Sequence, residues 1–140
     1  MTYELTFIQK PSYIHVIVTG KNSKQNVAQY LTEVLHECTA RKCRKVLIEE
    51  RLEGPRLKTL PVFEIVKNGS EEARGYFDAI GYVDVNAEGG LMRFAETAAI
   101  NRGLPVTVFT TVADAEMWLN NMNMEEQNKA LKERSNELTT

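Results

Sequence analysis

Apolar and polar positions alternate in two short runs near the N-terminus, the period that marks strands. The first is Tyr3-Glu4-Leu5-Thr6-Phe7-Ile8, broken by Lys10-Pro11-Ser12; the second is Tyr13-Ile14-His15-Val16-Ile17-Val18-Thr19-Gly20, rich in β-branched residues and closed by glycine. The short Pro-Ser link predicts an antiparallel hairpin at a sheet edge. Ile14, Val16 and Val18 share one face, with Tyr13, His15, Ile17 and Thr19 on the other. The period then changes. After a loop of cap-capable residues, Lys21-Asn22-Ser23, the apolar positions Val27, Tyr30, Leu31, Val34, Leu35 and Cys38 recur at helical spacing and lay one stripe on a sheet.

The run Val46-Leu47-Ile48 is the most strand-like short segment of the chain, and helical patterns flank it on both sides. It passes at once into alternating carboxylates and guanidiniums, Glu49-Glu50-Arg51-Leu52-Glu53-Gly54-Pro55-Arg56. A shorter apolar cluster follows, predicting a helix that starts near Thr59 or Pro61, with Thr59 or Leu60 at the cap. Asn68-Gly69-Ser70 reads as its interruption, with a further helical piece from Glu71 to Phe77. Ala79 to Val85 reads as a strand, Leu91 to Arg102 as a helix stopped by Gly103, and Val106 to Phe109 as the last strand. Thr111 and Asp114 open a final helix with Ala115, Trp118, Leu119 and Met122 inward.

These elements predict an α/β fold in the order β-β-α-β-α-β-α-β-α: a mixed, mainly parallel sheet of five strands with four helices packed against it. Residues 1–119 read as one domain and 120–140 as a polar C-terminal tail, a frayed helix or disordered.

Composition narrows the function classes. The chain has 140 residues, 43% hydrophobic and 26% charged, with a net charge of -2, so it is globular and carries no global pull toward nucleic acid. No apolar run is long enough to span a bilayer. Cys38 and Cys43 lack disulfide or CxxC metal spacing, which points to free thiols in a reducing cytoplasm. Cys38 falls on a buried stripe, and Cys43 is expected at an exposed helix end as the more reactive thiol. His15 and His36 have no metal-ligand spacing, so neither a metal nor another cofactor is expected.

The element order, the length and the closing stretch Pro105-Val106-Thr107-Val108-Phe109 to Ala115-Glu116-Met117-Trp118-Leu119 resemble the STAS fold. This is the sulphate-transporter and anti-sigma-factor-antagonist class, and the likeness is greatest to its SpoIIAA-like branch of small bacterial proteins. The resemblance covers Tyr3 to Leu119 as topology and implies a regulatory or binding role. Members that antagonise anti-sigma factors carry a phosphorylatable serine just after the central strand. Here that region reads Glu49 to Thr59 without an Asp-x-Ser motif, so no phosphorylation site is carried over.

Two constellations carry candidate chemistry. Glu49, Arg51, Glu53 and Arg56 follow the central strand; the arginines suit bidentate anchoring of an anion or a partner carboxylate, and the bland alternative is an internal salt-bridge network. Asp84, Asn86 and Arg93 follow the next strand, ahead of a helix N-terminus, where the alternative is a capped loop with an Arg93–Glu96 pair. Both sets fall at strand carboxyl ends and are expected to face one shared rim. The basic run Arg41 to Lys45 fits the helix dipole alone. Tyr76, Phe77 and Tyr82 fit either an exposed aromatic patch or burial on the sheet. The resulting expectation is a non-enzymatic module, alone or as a homodimer, docking a protein partner or a small anionic ligand at a charged rim. The rival is a carrier of an apolar or anionic metabolite, or a small enzyme, with Glu49 or Glu53 as acid/base and Asp84 as its partner; a deep apolar pocket around the carboxylates favours it.

Overall fold

A computed structural model describes residues 2–86 and 89–138. Its elements are β1 (Tyr3–Gln9), β2 (Ile14–Lys21), α1 (Lys24–Ala40), β3 (Lys45–Glu53), α2 (Thr59–Glu72), β4 (Ala79–Asp84), α3 (Gly89–Asn101), β5 (Val106–Phe109) and α4 (Val112–Leu138). The sheet runs β1-β2-β3-β4-β5, antiparallel only between β1 and β2. Each parallel strand is laid beside its predecessor in one direction, so the crossover helices α1, α2 and α3 collect on one face. That inner face holds the main core, with Ile14, Val16 and Val18 of β2 and Val46 and Ile48 of β3 packed against Val27, Tyr30 and Val34 of α1. Among the described elements only α4 covers the outer face, where Leu47, Val83, Ala115 and Leu119 form a second core.

Local chemistry explains the boundaries. The Ser23 side chain accepts from Asn26 N at 3.1 Å and caps α1. Gly103, at φ +84°, ends α3, with Gly103 N donating to Ile100 O and Leu104 N to Ala99 O. Thr111 Oγ1 accepts from Asp114 N at 3.2 Å at the start of α4. At Gly20, φ +128° and the closeness of the Thr2 and Tyr3 backbone leave no room for a Cβ.

Several expectations are corrected. Asn68-Gly69-Ser70 does not interrupt α2: Ser70 is buried and returns its hydroxyl to Lys67 O at 2.9 Å, and the helix runs through to Glu72. The cap of α2 is Lys58, without a side-chain hydrogen bond, rather than Thr59 or Leu60. β3 continues to Glu53 because β2 pairs with it through Lys21. Of the two alternatives for the polar stretch from Asn120, the helical one is seen: it continues α4 to Leu138. Cys43 is half-buried, with its thiol donating to Lys45 O at 3.2 Å, instead of freely exposed. In the basic run Arg41 pairs with Glu37, Arg44 pairs with Asp78, Lys45 is buried and Lys42 is exposed. No described helix is long and apolar enough to cross a membrane.

Candidate functional site

The candidate site is built on β3. Its residues Lys45 to Glu50 are all buried, since helices cover both faces at the middle of the sheet. Alternation sends Glu49 to the outer face and Glu50 to the inner face, and both carboxylates are buried, at 5% and 3% exposure. A buried carboxylate must be hydrogen-bonded, paired or protonated, and the two sides solve this differently.

On the outer face, Glu49 Oε1 lies 2.8 Å from His15 Nε2, and Arg51 Nε donates to Glu49 Oε2. Burial pushes the Glu49 carboxyl up, but the Arg51 guanidinium and His15 outweigh it, and the group ends below its ordinary value. Arg51 is itself half-exposed. Its guanidinium therefore stands at the surface on a buried foundation.

On the inner face, Tyr30 of α1 and Tyr82 of β4 both donate to Glu50 Oε2, and their phenol oxygens lie 3.1 Å apart. Burial pushes Glu50 above its ordinary value; the two phenols pull it down, Asp84 pushes it up further, and the net shift is upward. Both tyrosines are raised well above theirs, first by burial and then by the Glu50 charge. Beside them Asp84, also raised by burial, accepts from Asn86 N at 2.9 Å and from Arg56 Nη1 at 3.3 Å. Arg56 Nη2 donates to the Leu52 and Gly54 carbonyls at 2.8 and 3.1 Å, and Asn86 Nδ2 to Leu52 O at 3.1 Å. The loop after β3 is thus tied back onto the strand.

This polar cluster forms one end of a cavity of about 390 Å³ between the sheet and α1, α2 and α3. Most of the remaining lining is apolar, including Leu31, Ile48, Ile65, Met92, Ala95 and Val108, with Lys24, Thr32, Asn68, Glu72 and Glu96 also on the wall. Its volume is in the lower part of the range of small-molecule sites, about 300–1,000 Å³.

A second, shallower groove of about 790 Å³ lies at the carboxyl ends of β2, β3 and β4. It is lined by Thr19, Lys21, Arg51, Glu53, Val85 and Asn86, among others. Both features expected from the two rival readings, a polar rim and an apolar pocket, are present in one molecule.

The sequence-predicted residues divide between them. Arg51, Glu53 and Asn86 line the groove; Arg56 and Asp84 turn inward and line the cavity. The two sets do meet, Arg51 and Glu53 with Asn86 at the groove and Arg56 with Asp84 at the cavity, while Glu49 belongs to the outer face. Arg93 is exposed on α3 and lines neither space, and Glu96 accepts from Val108 N at 2.6 Å in place of the expected pairing with Arg93. The pairing of Glu49 or Glu53 with Asp84 does not form: Glu49 points to the opposite face and Glu53 to solvent. Sequence reasoning missed Glu50, Tyr30 and His15 as polar centres. The signal for Glu50 was available, since a carboxylate one step from Glu49 on a two-faced buried strand must enter the other core. His36 is exposed. Among the described residues, no group of three or more His, Cys, Asp or Glu could hold a metal ion.

The architecture is similar to a solved structure, titled the crystal structure of an anti-sigma factor antagonist from Mycobacterium paratuberculosis. The TM-score is 0.55 at 15% sequence identity, covering 85% of this chain and 95% of that one. The likeness establishes a STAS-like fold. No family model matches the chain, and no curated protein matches it.

Proposed function

We propose that a chain with this STAS-like fold is a non-enzymatic binding module that docks a protein partner at the groove along the carboxyl ends of β2, β3 and β4. The observation that carries this reading is Arg51: a half-exposed guanidinium whose Nε is fixed from beneath by the buried Glu49. An anchor held in place before binding loses less side-chain entropy when a partner carboxylate arrives. Lys21 and Glu53 flank it with both signs of charge, which suits selection of one partner over another. The solved neighbour is titled an anti-sigma factor antagonist, and a protein-directed role for this chain extends that title to it. The reading includes residence in the cytoplasm, where the two free thiols would stay reduced.

The test is quantitative affinity capture with wild type, Arg51→Ala and Glu53→Ala. A prey retained by wild type, released by raised salt and lost from Arg51→Ala is the expected result. Capture unchanged in both variants would remove the groove from the account. The inner cavity favours a second reading, small-molecule binding within the same domain.

A further inference from the structure

We infer that the inner cavity is a binding site for an apolar small molecule carrying a hydrogen-bond-donating head, a primary alcohol or amine, which the Glu50–Asp84 end accepts.

The walls set the tail. Side chains of three helices and the sheet leave a mainly apolar space with Leu31, Ile65, Met92 and Ala95 around it, although Lys24, Thr32, Asn68, Glu72 and Glu96 also line it. An aliphatic or aromatic tail fills the apolar part of such a space.

The polar end sets the head. It holds two carboxyl groups, Glu50 and Asp84, against one guanidinium, Arg56. Arg56 already donates to Asp84, Leu52 O and Gly54 O, and both phenols already donate to Glu50 Oε2. These donors are spoken for, and Glu50 and Asp84 also hydrogen-bond each other, so two carboxyl groups around one guanidinium still leave acceptor capacity in excess. A head that donates N–H or O–H meets that excess; a carboxylate or phosphate head meets two carboxyls of its own sign. The burial that raises Glu50 agrees with a carboxyl able to adjust its protonation to a neutral or a cationic head.

This site is separate from the groove that holds Arg51, and its test is independent of partner docking. Isothermal titration with decan-1-ol, decylamine and decanoate, each checked by the shift in melting temperature, measures head preference on a common tail. The alcohol and the amine should bind, and decanoate at least about tenfold more weakly, as follows from leaving a buried acceptor unpaired. Glu50→Gln should cut amine binding at least about tenfold while the fold melts normally. Ala95→Phe, which fills the cavity, should abolish all three; Val62→Phe serves the same purpose should Ala95→Phe fail to fold. Decanoate binding as tightly as the alcohol would overturn the head assignment. Failure of all three to bind folded wild type, or full binding by a folded cavity-filled variant, would overturn the site.

Discussion

Glu49 and Glu50 are adjacent, chemically identical and about equally buried, yet the two faces of β3 treat them in opposite ways. On the outer face a guanidinium and an imidazole surround the carboxylate, and it is held in its charged form. On the inner face the partners are neutral phenols and a second carboxyl group, so burial wins and the proton is held more tightly. The difference lies in what the covering element brings. α4 leaves the β2 side of the outer face open enough for Arg51 to reach solvent, whereas α1 places Tyr30 directly over Glu50. One strand thereby carries a charged surface anchor and a buried acceptor.

The most forceful way to break the comparison is to remove the support on each side. Tyr30 is fully buried, and Tyr30→Ala should destabilise by about 3–5 kcal/mol in urea unfolding, as large aromatic truncations do. His15→Ala, which leaves Glu49 its Arg51 partner, should cost about 1–2 kcal/mol. Equal losses would mean that the two sides are not built differently.

The pH dependence of stability separates them by sign. Glu50 binds its proton more tightly in the folded state, so its contribution is full below the ordinary carboxylate value and is lost as pH rises through the raised one. Asp84 acts in the same direction. Glu49 does the reverse: its contribution is present above the ordinary value and lost as pH falls through the lowered one. Relative to wild type, Glu50→Gln should gain stability as pH rises from the acid range. Glu49→Gln should lose stability above the ordinary value and converge with wild type in acid. Parallel profiles would contradict the assignment.

Smaller effects sharpen the same contrast. Tyr82→Phe removes one of two donors to Glu50 and should cost about 1–2 kcal/mol, with Glu50 titrating higher still. Arg51→Ala should cost no more than about 1 kcal/mol, because the guanidinium is half in solvent, yet move the Glu49 titration upward. A docking partner lost with so little stability lost would separate binding from folding.

Much of the fold was readable because it rests on local periodicity. The hairpin, the Val46-Leu47-Ile48 strand, the Gly103 stop and the Thr111 cap each depend on residues within a few positions of one another. The misreadings came where tertiary contacts overrule local preference. Asn68-Gly69-Ser70 stays helical because Ser70 is buried against the core. The site was legible in position more than in arrangement. Arg56, Asp84 and Asn86 do meet, through a loop folded back on Leu52, but the parity that parts Glu49 from Glu50 gives the faces and not the partners on them. His15 stands beside Glu49 only because β2 and β3 pair in parallel with Ile17 opposite Glu49, a register no local pattern reveals.

The most direct test of the account is a site-resolved NMR titration of the side-chain carboxyl carbons of Glu49 and Glu50 in the wild-type protein. Glu50 should titrate above a free glutamate and Glu49 below it. Coincident midpoints, or the reverse order, would contradict the division of β3 into a charged outer anchor and a buried inner acceptor.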